Sequence, residues 1–284
     1  MTSLQFAKVE GSGNDFILLD RRRKPFSGNP GAFARTWCDR KRGIGADGLL
    51  MALPSAKADA RMRIFNSDGS EAEMCGNGLR CLAWYLYNNE AVKPSGAASS
   101  GRSRGGKKTL SVDTRAGLMR AQITGKERVR FTLSRPKSLR LGLRLRHAGK
   151  SYLLHSVNSG VPHAVLLSSH LKKADLKTLG PAIRHHRLFQ PAGTNVNVMQ
   201  VHSPHRISIR TYERGVEDET LACGTGAVAS VVIGTALGRL RPPVDVKTPG
   251  GEILSVGFRP SRQPWEGLYL EGPARILFEG EVRT

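Results

Sequence analysis

Residues 206–230 read RISIRTYERGVEDETLACGTGAVAS: a strand, a charged turn, and Cys223 at the mouth of a helix that opens on Gly224 and Gly226. Residues 61–86, RMRIFNSDGSEAEMCGNGLRCLAWYL, run in the same order, with Cys75 directly before Gly76-Asn77-Gly78 and an apolar helical stretch. The likeness extends upstream. Ser12-Gly13-Asn14-Asp15-Phe16 in the first half answers to Ser159-Gly160-Val161-Pro162-His163 in the second. Gly13 precedes Cys75 by 62 residues and Gly160 precedes Cys223 by 63; Asp47 in GIGADG and Asn195 in GTNVN each lie 28 before their cysteine. Three landmarks in one order at nearly equal spacing point to two copies of one domain, facing each other across a cleft. The boundary falls in SRPKSLRLGLRLR, giving domains 1–135 and 136–284. The last strand, ARILFEG, is left open: it stays with the second domain or crosses back to the first.

Most of the remaining chain reads as short strands bounded by Gly, Asn, Pro and Ser: LQFAKV, FILLD, RMRIFN, TLSVDT, VRFTLS, SYLLHSV, NVNVMQV, RISIRTY, EILSVGF and ARILFE. Helical patterns are fewer: 30–40 with an early proline, the two runs after Cys75 and Cys223, and a weaker one over 171–186. Many strands with a few central helices make an α+β (α/β) protein. The segment 93–108, KPSGAASSGRSRGGKK, is small, polar and basic; with almost nothing to bury it reads as a mobile insertion without chemistry.

The chain has 284 residues, 39% hydrophobic and 24% charged, as a soluble globular protein has. No apolar run approaches the roughly 20 residues that span a bilayer, and no apolar segment follows a basic start as in a secretory signal. Four cysteines, Cys38, Cys75, Cys81 and Cys223, do not make a disulfide scaffold, so reduced thiols in the cytoplasm are expected. The net charge of +21 favours anionic partners. A solvated basic surface is the plainer reading. No RNA-binding aromatic motif, zinc-finger spacing or basic heptad run accompanies the charge, so nucleic-acid binding is expected to be non-specific at most.

The first amides of a helix have no intrahelical acceptor, and the helix dipole adds partial positive charge at that end. A thiolate is stabilised there and a carboxylate can be held there. Gly76, Gly78, Gly224 and Gly226 would let a ligand approach the backbone. Two such sites could present two sulfurs to one cleft. One, as thiolate, takes a proton from carbon; the other, as thiol, returns a proton from the opposite side, inverting a stereocentre with no cofactor. Other readings stand beside this. A cysteine is often a small buried hydrophobe, and Cys38 and Cys81, inside helices, are read that way. A zinc site lacks CxxC or HxxxH spacing, so no metal is expected. A Cys75–Cys223 disulfide is read as an oxidised, inactive state.

Four segments, EGSGNDFILLD, DRKRGIGADGLL, NSDGSEAEMCGNGLRC and ERGVEDETLACGTGA, resemble the diaminopimelate epimerase family, with matches from Gly11 to about Ala227. The resemblance implies two similar halves, each a sheet wrapped around a central helix. It implies interconversion of LL- and meso-2,6-diaminopimelate without pyridoxal phosphate or metal, in bacterial lysine and peptidoglycan synthesis. It implies Cys75 and Cys223 as the acid/base pair, with Glu213 near one sulfur and His163 tuning the other thiol. Asn14, Asn66 and Asn195 would take the distal amino-acid end or other polar groups of the substrate. Gly76-Asn77 and Gly224-Thr225 would cradle the reacting carboxylate, and Glu213 and Arg214 would contact substrate. Members of that family are often dimers, which makes a homodimer one of the expectations. Without the resemblance the Asn residues read as turn residues, His163 as a satisfied core or loop histidine, and Glu213-Arg214 as a solvated strand-end pair. One position departs from the pattern: Val161 stands where the family often has Asn, and Asn158 is the nearby amide that could replace it. Two alternatives stay open: a racemase or epimerase of proline or hydroxyproline type, or a basic nucleic-acid-associated protein on this scaffold. The polar set Asn14, Asn66, Asn195 and Arg214 favours a substrate with a second zwitterionic end.

Overall fold

The computed structural model describes residues 3–91, 108–259 and 264–283; residues 93–107 of the basic insertion lie outside them. The chain divides into two compact units, Met1–Phe131 with Gly272–Thr284, and Thr132–Glu271.

In the first unit β1 (Ser3–Gly11) and β2 (Asn14–Asp20) form an antiparallel hairpin. Its turn residues Ser12 and Gly13 have φ of 58° and 90°, the left-handed pair that matches the twist of a two-residue hairpin. Next comes α1 (Pro30–Trp37), started by Asn29, whose side chain accepts from the Ala32 amide, and by a proline at its first position. β3 (Gly48–Leu53) then runs parallel to β2. β4 (Ala60–Asn66) returns antiparallel to β3, and the short β5 (Glu71–Ala72) lies on β4. After α2 (Gly76–Ala91), β6 (Thr109–Thr114) pairs parallel with β4. β7 (Gly117–Gly125) and β8 (Arg128–Thr132) close the series as a meander.

The second unit opens with the antiparallel pair β9 (Lys137–His147) and β10 (Lys150–Asn158), followed by β11 (Pro162–Leu167) on β10. Then come α3 (Leu176–Arg184) and β12 (Asn195–Ser203), parallel to β11. β13 (Arg206–Glu213) is antiparallel to β12 and carries β14 (Asp218–Thr220). After α4 (Gly224–Ala236), β15 (Val244–Lys247) runs parallel to β13, and β16 (Ile253–Gly257) and β17 (Tyr269–Pro273) follow as a meander. The last strand, β18 (Arg275–Arg283), pairs antiparallel with β1.

The two units share one connectivity. Hairpin, helix, parallel strand, antiparallel strand, short strand, helix, parallel strand and meander occur in the same order in each. β18 stands beside β1 as β9 stands beside β10. Each unit has one helix held by many strands: α2 packs against β1, β2, β3, β4, β6, β7 and β18, and α4 against β10, β11, β12, β13 and β16. α4 is buried continuously from Gly226 to Gly234, as a helix apolar on all sides must be. The other helix of each unit packs on a second face. Phe33 and Ala34 of α1 join Ile17, Leu49 and Phe65; Leu176 and Ile183 of α3 join Leu154, Leu166, Val196 and Tyr212.

Some elements differ from the sequence reading. The helix expected over 30–40 ends at Trp37, with Cys38 as its cap. The one expected over 171–186 splits into a 3-10 turn, Leu171–Lys173, and α3, started by the Asp175 side chain on the Thr178 amide. The expected strands do not include β3, β7, β11, β15 or β17. β3 and β11 are buried almost throughout and read as apolar runs rather than alternations. The stretch SRPKSLRLGLRLR, expected to hold the domain boundary, is mostly β9. Leu139 and Leu141 on it are 38% and 43% exposed, and only Leu145 is buried. A strand with so little to bury looks like a loop by composition, although Leu and Arg alternate along it.

Candidate active site

Cys75 is the residue directly before α2. Its sulfur accepts from the Gly78 amide at 3.4 Å, and its carbonyl accepts from Leu79 at 2.9 Å. The sulfur thus takes the place of a capping side chain. Behind it runs a chain of amides. Asn77 donates to the Asn14 side chain, and Asn14 donates to Asp47 Oδ2 at 3.0 Å. Asp47 also receives Arg40 at 2.7 Å, and its carbonyl takes the Ser67 amide at 3.2 Å, next to Asn66. Asn66 is exposed at the end of β4, and its side chain donates to Ser70 Oγ at 2.9 Å, closing a turn. Asn14, Asn66 and Asn77 therefore belong to one neighbourhood, joined through Asp47.

Cys223 repeats the arrangement in the second unit. It is the N-cap of α4, with extended backbone, and its sulfur accepts from the Gly226 amide at 3.3 Å. It is 7% exposed. Glu213, at the end of β13, hydrogen-bonds the sulfur. Burial pushes both groups up: the Glu213 carboxyl, with the bond to Cys223 partly offsetting it, and the Cys223 thiol, which the Glu213 charge raises further. Thr225 Oγ1 lies 3.6 Å from the Cys223 sulfur and 2.9 Å from His163 Nε2.

His163 is fully buried, and both its ring nitrogens are used inside the second unit. Asn197 fixes the tautomer. Its Oδ1 accepts from Thr211 at 2.8 Å, so its amide nitrogen donates to the Ala164 carbonyl at 3.1 Å and to His163 Nδ1 at 2.9 Å. Nδ1 is thus the acceptor, and Nε2 carries the proton toward Thr225. Burial first, and Arg214 second, hold the His163 pKa down to about 3, so the ring is neutral. The resemblance gave His163 the tuning of a thiol; its hydrogen bonds run toward Cys223, by way of Thr225.

Asn195 is tied on two sides: its amide donates to the Pro162 carbonyl at 3.0 Å, and its oxygen accepts from the Arg214 amide at 2.8 Å. The Arg214 guanidinium donates to Ala192 at 3.0 Å. Asn158, the amide expected to stand in for the missing one at Val161, uses its oxygen on the Gly160 amide at 3.0 Å. It serves the turn at Gly160, whose φ is 120°.

The glycines at the two helix starts have a packing reason of their own. A Cβ on Gly76 would lie 2.9 Å from the Phe131 ring, and one on Gly78 2.9 Å from Leu50. On Gly224 it would meet Leu270 at 2.9 Å, and on Gly226 it would meet Asn197 Oδ1 at 2.3 Å. These positions face the protein, and the glycines let each helix start press onto its sheet. Cys38 and Cys81 are buried, and burial pushes Cys38 up to about 11 and Cys81 higher still. None of the four cysteines is in a disulfide. Among the described residues no group of three or more His, Cys, Asp or Glu could hold a metal ion, and no helix is long and apolar enough to cross a membrane.

Sequence reasoning missed Arg80 and Asn197. Arg80 is a charge inside the apolar run LRCLAWYL, and Asn197 is a polar residue in the strand NVNVMQV. For Arg80 the available signal was a charge where the helical pattern calls for an apolar residue; Asn197 sits on the polar phase of its strand and gave none.

The family model described as diaminopimelate epimerase matches residues 6–138 and 155–277 of this chain. A diaminopimelate epimerase of Chlorobaculum tepidum is 40% identical over 275 residues, covering 96% of this chain and 99% of its own. One of Carboxydothermus hydrogenoformans is 39% identical over 294 residues, covering 98% and 99%. Among solved structures, a PhzF-family phenazine biosynthesis protein of Bacillus anthracis matches with a TM-score of 0.71 at 15% identity over the whole of both chains. A hydroxyproline epimerase of Agrobacterium vitis matches with a TM-score of 0.68 at 16% identity, covering 99% of this chain and 92% of its own. At those identities the likeness is one of fold alone.

Proposed function

Because this chain belongs to the diaminopimelate epimerase family, we propose that it interconverts LL- and meso-2,6-diaminopimelate with no cofactor, as a step toward lysine and peptidoglycan. We place it in the cytoplasm, where four cysteines outside any disulfide stay reduced. The observation that carries the reading is the repeated thiol at a helix start: in each unit a cysteine sulfur accepts from the third amide of a helix, at 3.4 Å and 3.3 Å.

The chemistry follows from that position. One cysteine, as thiolate, takes the α-proton; the C–H bond breaks, an S–H bond forms, and the electron pair passes into the substrate carboxylate. The other cysteine, as thiol, delivers its proton to the opposite face and is left as thiolate. The two have exchanged roles, and no redox or group transfer has occurred. The first amides of α2 and α4, at Gly76-Asn77 and Gly224-Thr225, are the donors for the charge that grows on the carboxylate. Glu213, bonded to Cys223, accepts the thiol proton when Cys223 is to act as base. Asn14, Asn66, Asn195 and Arg214 are assigned to the distal amino-acid end. Asn195 has an amide hydrogen and a lone pair beyond its two protein bonds.

The test is turnover of LL-diaminopimelate in deuterated water. Early product should carry solvent deuterium at the inverted carbon while remaining substrate stays unlabelled, since the proton returned comes from a different sulfur than the one that accepted. Cys75→Ala and Cys223→Ala should each abolish epimerisation with the fold retained, and proline and hydroxyproline should be inert. Full epimerisation by either alanine variant, or faster turnover of proline, overturns the reading.

A further inference from the structure

The two cysteines share a helix-start position but not an electrostatic surrounding. Five residues after Cys75 stands Arg80; five after Cys223 stands Val228, fully buried. Arg80 is 0% exposed, an uncommon place for a guanidinium. Its hydrogen bonds go to neutral oxygens: Nη2 to Ser12 Oγ at 2.9 Å and to Asn77 Oδ1 at 2.7 Å, and Nε to the Pro273 carbonyl at 3.3 Å. Nη1 is buried without a hydrogen-bond partner among the described residues. A buried charge so arranged is costly unless something anionic offsets it. Burial, and more weakly Arg128, disfavour its charge, while three neighbours favour it: Cys81, Cys75 and Glu10. Burial keeps Cys81 a neutral thiol, and Glu10 is paired with Arg275 at 2.9 Å. Cys75 is the remaining neighbour that can become anionic.

Building on the two-thiol reading above, we propose that Arg80 is a positioning residue for Cys75: its fork holds Asn77, and through it Asn14, while its buried charge favours the Cys75 thiolate. The second unit has the opposite sign. Glu213 faces Cys223, and no cation occupies the position of Arg80. Cys75 is therefore the thiol that ionises first, and Cys223 the one that holds its proton.

Alkylation tests this without substrate. The full chain is treated with iodoacetamide across a range of pH, and modification at each cysteine is read by peptide mass. Cys75 should react at lower pH than Cys223. Arg80→Met should move the Cys75 profile up by about one pH unit or more and raise KM for diaminopimelate roughly tenfold, for loss of the hydrogen bond to Asn77. Arg80→Lys keeps the charge but not the fork, so it should keep the alkylation profile and still raise KM. Thermal melting identifies folded variants, and a merely structural role would not move the alkylation profile of a folded one. A folded Arg80→Met variant with the wild-type profile overturns the proposal. If that variant does not fold, Arg80→Lys with wild-type KM overturns it. Failure of the wild-type chain to turn over diaminopimelate would sink the functional reading but leave the alkylation comparison to decide the charge effect.

Discussion

At the scale of single residues, the second unit shows how a proton can be held ready without a free charge. His163 is neutral and its tautomer is set by Asn197, so the ring donates toward Thr225 rather than accepting from it. Glu213 is the group beside Cys223 that can gain or lose a proton, and burial raises its pKa from the ordinary 4.5. That suits a base which must pass a proton to and from a buried thiol. Glu213→Gln keeps the shape and a hydrogen bond to sulfur but cannot take the thiol proton. Its kcat on LL-diaminopimelate should fall on the order of 10²-fold, with the melting temperature little changed. A variant turning over at the wild-type rate would remove Glu213 from the proton path.

At the scale of elements, loops of the first unit that carry site residues are fixed by a network of ion pairs, the Lys8–Asp15 pair largely buried and the Arg40 pairs exposed, and this makes part of their stability depend on pH. Lys8, 5% exposed, pairs with Asp15 at 2.8 Å and with the Gly45 carbonyl; Arg40 bridges Asp15 and Asp47, each at 2.7 Å. Burial alone would raise the Asp15 pKa, but the hydrogen bonds from Arg40 and Lys8 win and bring it to about 2, against 3.8 when unfolded. The folded carboxyl is thus the stronger acid, so its contribution is complete above pH 3.8 and disappears as pH falls toward 2. Asp15→Asn should cost about 2 kcal/mol at pH 7 by urea unfolding, and the gap from wild type should close near pH 2. A gap of the same size at both pH values would contradict the ion-pair account. This network also marks the limit of sequence reading. Asp47 was legible as a landmark, because it lies 28 residues before Cys75 as Asn195 lies before Cys223. Arg40, which bridges Asp47 to Asp15, and Lys8, which pairs with Asp15, were not, since neither spacing nor composition says which charges a fold brings together. The helix starts at Cys75 and Cys223 were legible because a glycine pair punctuates an apolar run. β9 was not, because an exposed strand leaves little apolar pattern.

At the scale of the whole molecule, the repeat and the charge tell different stories. The repeat gives both units one connectivity, and the differences that matter to chemistry are single side chains on that common plan: Arg80 against Val228 within the helices, Asn66 against Glu213 at the strand ends. The charge follows no such plan. Forty-four Lys and Arg against 23 Asp and Glu leave +21. Much of the excess is on surface: Arg144, Arg146 and Lys150 are exposed on β9 and β10. A surface charge of this kind attracts any polyanion through counterion release and carries no base-reading geometry. Duplex DNA should therefore bind weakly at 50 mM salt, equally for unrelated sequences, and lose roughly 10²-fold in affinity by 200 mM if three or four phosphates are neutralised. Fluorescence anisotropy of labelled duplexes across that salt range reads the slope. Tight binding at 200 mM that distinguishes one sequence from another would mean that the basic surface is a recognition site and not a solvated coat.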